Sequence, residues 1–156
     1  MGFLRNLKLW LFPLRMADPD FGSLVFMHIS KWPERSYWEC EWIFPPTGTV
    51  VVITLQGDEA GPTSESRRFY LTLPGRFQEI LTASRPKLEQ VYKSELGEPL
   101  PQDIFTTLKL TGFGVKDPYE QPVRWDISFE TTGDKYLGVL IPFIGNTAME
   151  PEVDIC

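Results

Sequence analysis

The chain has 156 residues, 42% of them hydrophobic and 13% aromatic, which suits one domain with a substantial core and argues against general disorder. Its formal net charge is −6, from 15 bases and 21 acids, a balance that repels phosphate backbones and so disfavours nucleic acid, while suiting a basic protein partner. Two cysteines, one histidine and no CxxC pair leave no zinc pattern.

Residues 1–16 stand apart from the rest. They carry Arg5, Lys8 and Arg15 and no acid, which leaves 12 bases against 21 acids, or −9, in the remainder. Phe3, Leu4, Leu7, Trp10, Leu11 and Leu14 recur at helical spacing, and Pro13 stops the pattern. The stretch is too short to cross a bilayer and lacks a small-residue cleavage site. Asn6 stands where a myristoylation signal after Gly2 needs Ser or Thr. Residues 1–17 therefore read as a basic amphipathic arm, and 18–156 as the domain. The arm has two readings: weak contact with a membrane surface through residues 1–16, or a segment docked on the domain or disordered.

Asp18-Pro19-Asp20 signals a turn, and Ser23–Ile29 then reads as a strand with Leu24, Phe26 and His28 on one face. Lys31–Arg35 is a loop containing Pro33. Tyr37–Phe44 is the most informative stretch: alternation puts Trp38, Cys40, Trp42 and Phe44 on one face and Tyr37, Glu39, Glu41 and Ile43 on the other. A turn at Pro45–Gly48 leads to Thr49–Gln56, apolar on both faces and so expected to be central. Gly57–Ser66 reads as a mobile loop, and Arg67–Leu73 as a strand. From Arg76 the period turns helical, with Phe77, Ile80, Leu81, Leu88, Val91 and Tyr92 on one stripe. Pro86 predicts a kink or two consecutive helices, and Gly97 a C-cap. Gln102–Leu108 reads as a short helix, and Leu110–Val115 as a strand weakened by Gly112 and Gly114. Val123–Thr131 and Tyr136–Ile144 form a hairpin. Strands, helix, strands predicts an α+β fold: a mainly antiparallel sheet with one kinked helix, or a helix pair, packed on one face.

Glu39 and Glu41 lie roughly 6.5–7 Å apart at Cα on one strand face, which overlaps the carboxylate separation of inverting glycosidases. Any two acids at this spacing do the same, so an acidic surface is the plainer reading. His28 shares a face with apolar residues, and Cys40 sits on the aromatic face, where burial blunts a thiol; the two make a poor nucleophile–base pair. A Cys40–Cys156 disulfide is open from sequence, with a reduced buried thiol the simpler alternative. Gly112-Phe113-Gly114 precedes no helix, so it is no dinucleotide fingerprint, and no P-loop, GxSxG, HExxH or EF-hand occurs; no cofactor is expected. Glu150, Glu152 and Asp154 share a face if the tail is extended, where they can hold a hard cation or protect an edge strand; no metal site is assigned. Trp32, Tyr37 and Trp38, near Lys31 and Arg35, are candidates for an aromatic recognition surface.

Asp20-Phe21-Gly22, the Tyr37–Phe44 strand and Trp125-Asp126-Ile127-Ser128-Phe129-Glu130 resemble segments of small bacterial α+β proteins, a class that includes immunity-like domains of toxin systems. The resemblance spans about residues 18–156 and implies a cytoplasmic α+β protein; it transfers no catalytic residue. The leading expectation is a non-enzymatic protein-binding domain. Trp32, Tyr37, Glu39, Glu41, Glu150, Glu152 and Asp154 are its candidate binding residues, the acids steering a basic partner. The alternatives are a carboxylate-based hydrolase and a membrane-peripheral accessory protein held by residues 1–16.

Overall fold

The computed structural model describes residues 2–155, and the alternating segments become strands of one ten-stranded, mainly antiparallel sheet. Helix α1 (Gly2–Leu11) precedes β1 (Arg15–Asp18), β2 (Gly22–Met27), β3 (Tyr37–Phe44), β4 (Thr49–Asp58) and the short β5 (Gly61–Pro62). Helices α2 (Ser64–Thr72) and α3 (Phe77–Val91) follow. The chain then adds β6 (Leu108–Asp117), β7 (Arg124–Thr131), β8 (Gly138–Ile144), β9 (Thr147–Ala148) and β10 (Glu152–Asp154). The strands lie in the order β1-β2-β3-β4-β6-β7-β8-β10, with β5 beside β4 and β9 beside β8. Among the described residues only β4 and β6 pair in parallel. A parallel pair needs a long crossover, and the helices between β4 and β6 supply it.

One face of the sheet carries the core. Trp38, Cys40, Trp42 and Phe44 of β3 pair with Leu55, Ile53, Val51 and Thr49 of β4. The face continues through Phe113, Ile127 and Ile141 on β6, β7 and β8, all buried. The helices cover it: Phe77 meets Phe44 edge-on with ring centroids 4.9 Å apart, and Phe69 meets Trp125 at 5.7 Å. Burying an aromatic polar tip requires a partner. Trp38 Nε1 donates to the Asp58 carbonyl at 2.8 Å, Trp125 Nε1 to that of Gly145 at 2.8 Å, and the Tyr70 hydroxyl to that of Thr54 at 2.7 Å.

The helical layer and its flanks depart from the sequence expectation in four places. Residues 67–73 are helical rather than a strand: Phe69, Leu71 and Leu73 alternate, but Ser66, Phe69, Tyr70 and Leu73 also satisfy the helical period, and those four are the buried ones. Thr63 caps this helix by accepting from the Ser66 amide at 3.2 Å, so the expected loop over 57–66 is instead a tight β4–β5 hairpin and a helix start. The bend expected at Pro86 falls at Pro74–Arg76, a 3-10 turn between α2 and α3. Pro86 lies inside α3 on its exposed side, where the Thr82 carbonyl that loses its partner has water. After a π turn over Tyr92–Leu96 the run ends at Gly97, whose left-handed φ of 65° makes it the expected C-cap. The short helix expected over 102–108 is a single 3-10 turn, Ile104–Thr106, and β6 already begins at Leu108.

Arg67 on α2 ties the helices to the start of the sheet. Its guanidinium pairs with Asp18, whose side chain is 6% exposed, and with Asp20, and lies over the Phe21 ring at 5.3 Å. Asp18 also accepts from the amides of Asp20 and Phe21, which fixes the predicted turn.

Candidate functional site

The face of the sheet opposite the helices is open, and the strand register assembles a site there. On β3 and β4, Glu39 pairs with Thr54, Glu41 with Val52, and Ile43 with Val50. Val52 then neighbours Gly112 on β6, Gly112 neighbours Ser128 on β7, Ser128 neighbours Leu140 on β8, and Leu140 neighbours Glu152 on β10. Paired residues project to the same face. A single row therefore runs Glu41, Val52, Gly112, Ser128, Leu140, Glu152, with an acid at each end and little polar between. Six strands at about 4.8 Å spacing put its ends roughly 24 Å apart. Val52 in the row is 42% exposed, and beside it Ile43 and Val50 are exposed at 65% and 47%. Thr49–Gln56 is central as expected, but its second apolar face has no layer over it.

The middle of the face is a shallow trough, because β6 contributes glycine there. At Gly112 a Cβ would stand 2.7 Å from the Val52 carbonyl oxygen, so the close approach of β4 and β6 demands glycine. At Gly114 the space is taken by the Asp126 carboxylate, 3.0 Å from where a Cβ would stand. Burial raises the Asp126 carboxyl above the ordinary carboxylate range; Lys116 and the Gly114 amide oppose the shift, and Glu152 adds to it. Asp126 and Glu152 line one 350 Å³ cleft with Lys116, Leu140, Pro142 and Met149.

The residues singled out in the sequence do not form one cluster. Tyr37, Glu39 and Glu41 lie on the open face, on the β3 side. Glu152 and Asp154 lie on the same face at the far edge, opposite Leu140 and Gly138. Glu150 lies before β10 and turns to the helices, where Lys87 Nζ donates to it at 2.9 Å and Gln90 Nε2 at 3.1 Å. The Lys87 contact foremost holds the Glu150 carboxyl below its usual range. Trp32 sits in the loop after β2, 48% exposed, with Lys31 Nζ 5.4 Å and Arg35 Cζ 5.2 Å from its ring centroid. His28 Nε2 hydrogen-bonds Asn6 Oδ1 at 2.9 Å. Cys40 is buried, its thiol donates to the Phe21 carbonyl, and burial, assisted by Glu41, pushes it up to about 11. That setting disfavours a thiolate nucleophile. Cys156, and with it the Cys40–Cys156 pairing, lies outside the described residues. Among the described residues no group of three or more His, Cys, Asp or Glu is placed to hold a metal ion, and no helix is long and apolar enough to cross a membrane.

Two features gave no signal in the sequence. Asp126 lies on the outward face of β7, and its burial depends on the glycine of a neighbouring strand, which no pattern in β7 encodes. Arg76 followed a Pro-Gly pair and carried no motif. In the fold its guanidinium lies over both Phe69 and Trp125, 5.8 and 5.5 Å from their ring centroids, and Nη1 donates to Asn146 at 3.1 Å. It lines a 530 Å³ cleft with Arg68, Tyr119 and Gln121 and joins the helical bend to the turn after β8. Burial lowers its pKa.

No family model, no curated protein and no solved structure matches the chain.

Proposed function

We propose that the chain is a non-enzymatic protein-recognition domain that receives a basic partner on the open face of its sheet. The observation that carries this reading is the row from Glu41 to Glu152: exposed carboxylates at both ends, with exposed Val52, buried Gly112 and half-buried Ser128 and Leu140 between them. Interfaces of this kind join an apolar centre to a charged rim, the centre contributing affinity and the rim contributing on-rate and partner choice. Glu39, Glu41, Glu152 and Asp154 supply the charged groups, and Ile43, Val50 and Val52, on β3 and β4, the exposed apolar ones. In its sharpest form the domain is immunity-like and the partner is a basic toxin.

The test compares the wild-type protein with a Glu41→Lys/Val52→Arg variant, both exposed positions. Proteins captured from lysate by the first and not the second are identified, purified and titrated calorimetrically against both. A loss of affinity of tenfold or more in the variant supports the reading. A partner held equally by both, or no protein that distinguishes them at any ionic strength, refutes it.

A second reading, a carboxylate-based hydrolase, draws on Asp126, a carboxyl raised by burial with Glu152 close enough to influence it, in one cleft. A glycoside and ester substrate screen with the wild-type protein and Asp126→Asn decides it: activity lost in the variant supports it, and no turnover in the wild type refutes it.

A further inference from the structure

The N-terminal helix is mounted the wrong way round for a core element. An amphipathic helix normally buries its apolar stripe against the domain. Here α1 is held by its other side. Leu9 is buried, Asn6 bonds His28, and Arg5 pairs with Glu59 at 3.3 Å. At 100° per residue these three share one edge of the helix, while Leu4, Leu7 and Leu11 gather on the opposite one. Leu4 and Trp10 are 73% and 77% exposed, and Phe12, just past the helix end, is 73% exposed. Phe12 still donates its amide to the Lys8 carbonyl at 2.8 Å, so it is held against the last turn.

The contacts that hold α1 also define its surroundings. His28 follows β2, and Glu59 lies in the β4–β5 turn; both are at the end of the sheet that carries the Lys31–Arg35 loop. That loop adds exposed Trp32, flanked by Lys31 and Arg35. One end of the molecule thus combines an outward leucine stripe, tryptophans and bases.

We infer that this end of the protein docks on an anionic lipid surface, with α1 lying in the membrane plane. The inference is independent of the partner reading, because it uses a different surface. Three observations select a lipid surface. Residues 1–16 hold Arg5, Lys8 and Arg15 and no acid, the charge that anionic headgroups attract. The rest of the chain carries −9, but at physiological ionic strength charges beyond about 8 Å are screened, and at this end the bases Arg5, Lys8, Arg15, Lys31 and Arg35 outnumber the acids Glu34, Asp58 and Glu59, the last paired with Arg5. Trp10, Phe12 and the leucines project outward from a helix at the periphery of the fold, which fits a planar, adaptable medium, and tryptophan favours the membrane–water interface. A second copy fits less well: two stripes face to face bring the bases of both arms together without an acid between them.

The experiment is co-sedimentation of the full chain with vesicles of mixed phosphatidylcholine and phosphatidylserine, against vesicles of phosphatidylcholine alone. The wild-type protein is expected to partition at least about tenfold more strongly to the mixed vesicles. Leu7→Glu/Leu11→Glu is expected to lose binding to both at least tenfold, and Lys8→Glu to lose mainly the preference for the anionic ones. These side chains are exposed, so circular dichroism and the thermal midpoint serve to establish that the variants fold. Equal sedimentation of wild type and Leu7→Glu/Leu11→Glu, or none of the wild type with either vesicle, overturns the inference. So does sedimentation equilibrium that finds a wild-type dimer abolished in that variant without vesicle binding, which assigns the stripe to a second copy. Retention by a protein but not by vesicles overturns it likewise.

Discussion

Replacing Gly112 by alanine tests the seam between β4 and β6. Gly112 does not have a left-handed φ, so alanine suits its backbone; the obstacle is space. The added methyl would stand 2.7 Å from the Val52 carbonyl oxygen, against the 3.4 Å at which ordinary contact begins. The neighbour is backbone in a parallel ladder, so the two strands must separate by several tenths of an ångström where they pair. Forcing one methyl into such a site costs about 1–3 kcal/mol, and the stiffer unfolded chain returns about 0.4–1. The net loss is about 1–2 kcal/mol, which for a chain of this length lowers the thermal midpoint by about 2–8 °C. Gly75 is the control. It lies in the turn between α2 and α3, its Cβ meets nothing within 4 Å and its φ is not left-handed, so only the unfolded-state gain remains. Gly75→Ala is expected to raise stability by up to about 1 kcal/mol. Urea unfolding of the three proteins, read by tryptophan fluorescence and circular dichroism, gives both signs in one experiment. A Gly112→Ala protein as stable as the wild type refutes the close-approach argument.

Other outcomes follow from charge and burial. Asp126 has a folded-state pKa above its unfolded one. The resulting stabilisation is complete below the ordinary carboxylate range and is lost as pH rises through the folded value. Asp126→Asn is thus expected to melt higher than the wild type at neutral pH, with the advantage vanishing in acid; a difference that does not vary with pH would sink this account. Arg67→Ala leaves the buried Asp18 carboxylate without its cation and is expected to cost about 2–4 kcal/mol in urea unfolding; a loss below 1 kcal/mol would show that the turn's own amides suffice. In a Cys156→Ser background, Cys40, raised to about 11, is expected to resist alkylation at neutral pH until denaturant is added. Labelling at the rate of a free thiol in the native protein would contradict its burial.

The sheet was legible in the sequence where alternation was local. Tyr37–Phe44 has the bounds that its pattern predicts, and the hairpin of β7 and β8 follows from Trp125, Ile127 and Phe129 answering Val139, Ile141 and Phe143. Residues 67–73 were not, because Phe69, Leu71 and Leu73 fit a strand as well as Phe69, Tyr70 and Leu73 fit a helix. The deciding signals were the Thr63 cap and the buried Ser66, which reaches back to the Gln56 amide at 3.0 Å. The row across the open face was beyond sequence reasoning for another reason. Glu41 and Glu152 share it only because the helical crossover sets β6 beside β4, and no local pattern encodes that neighbour.

The single parallel ladder also divides the molecule. Strands β1 to β4 form one meander and β6 to β8 another, which β9 and β10 extend by both pairing with β8, and Val52 and Ile53 with Gly112 and Phe113 are the described residues at which the two meanders meet. Contacts inside each meander are short-range in the chain and close early, whereas the seam joins segments some 60 residues apart and carries the greater loop-closure entropy. On loop-closure entropy the seam is therefore the costliest pairing of the sheet to close. A chain cut in the 97–102 connection keeps every hairpin intact, and its two fragments have the design of a split protein that reassembles by zipping one strand against another.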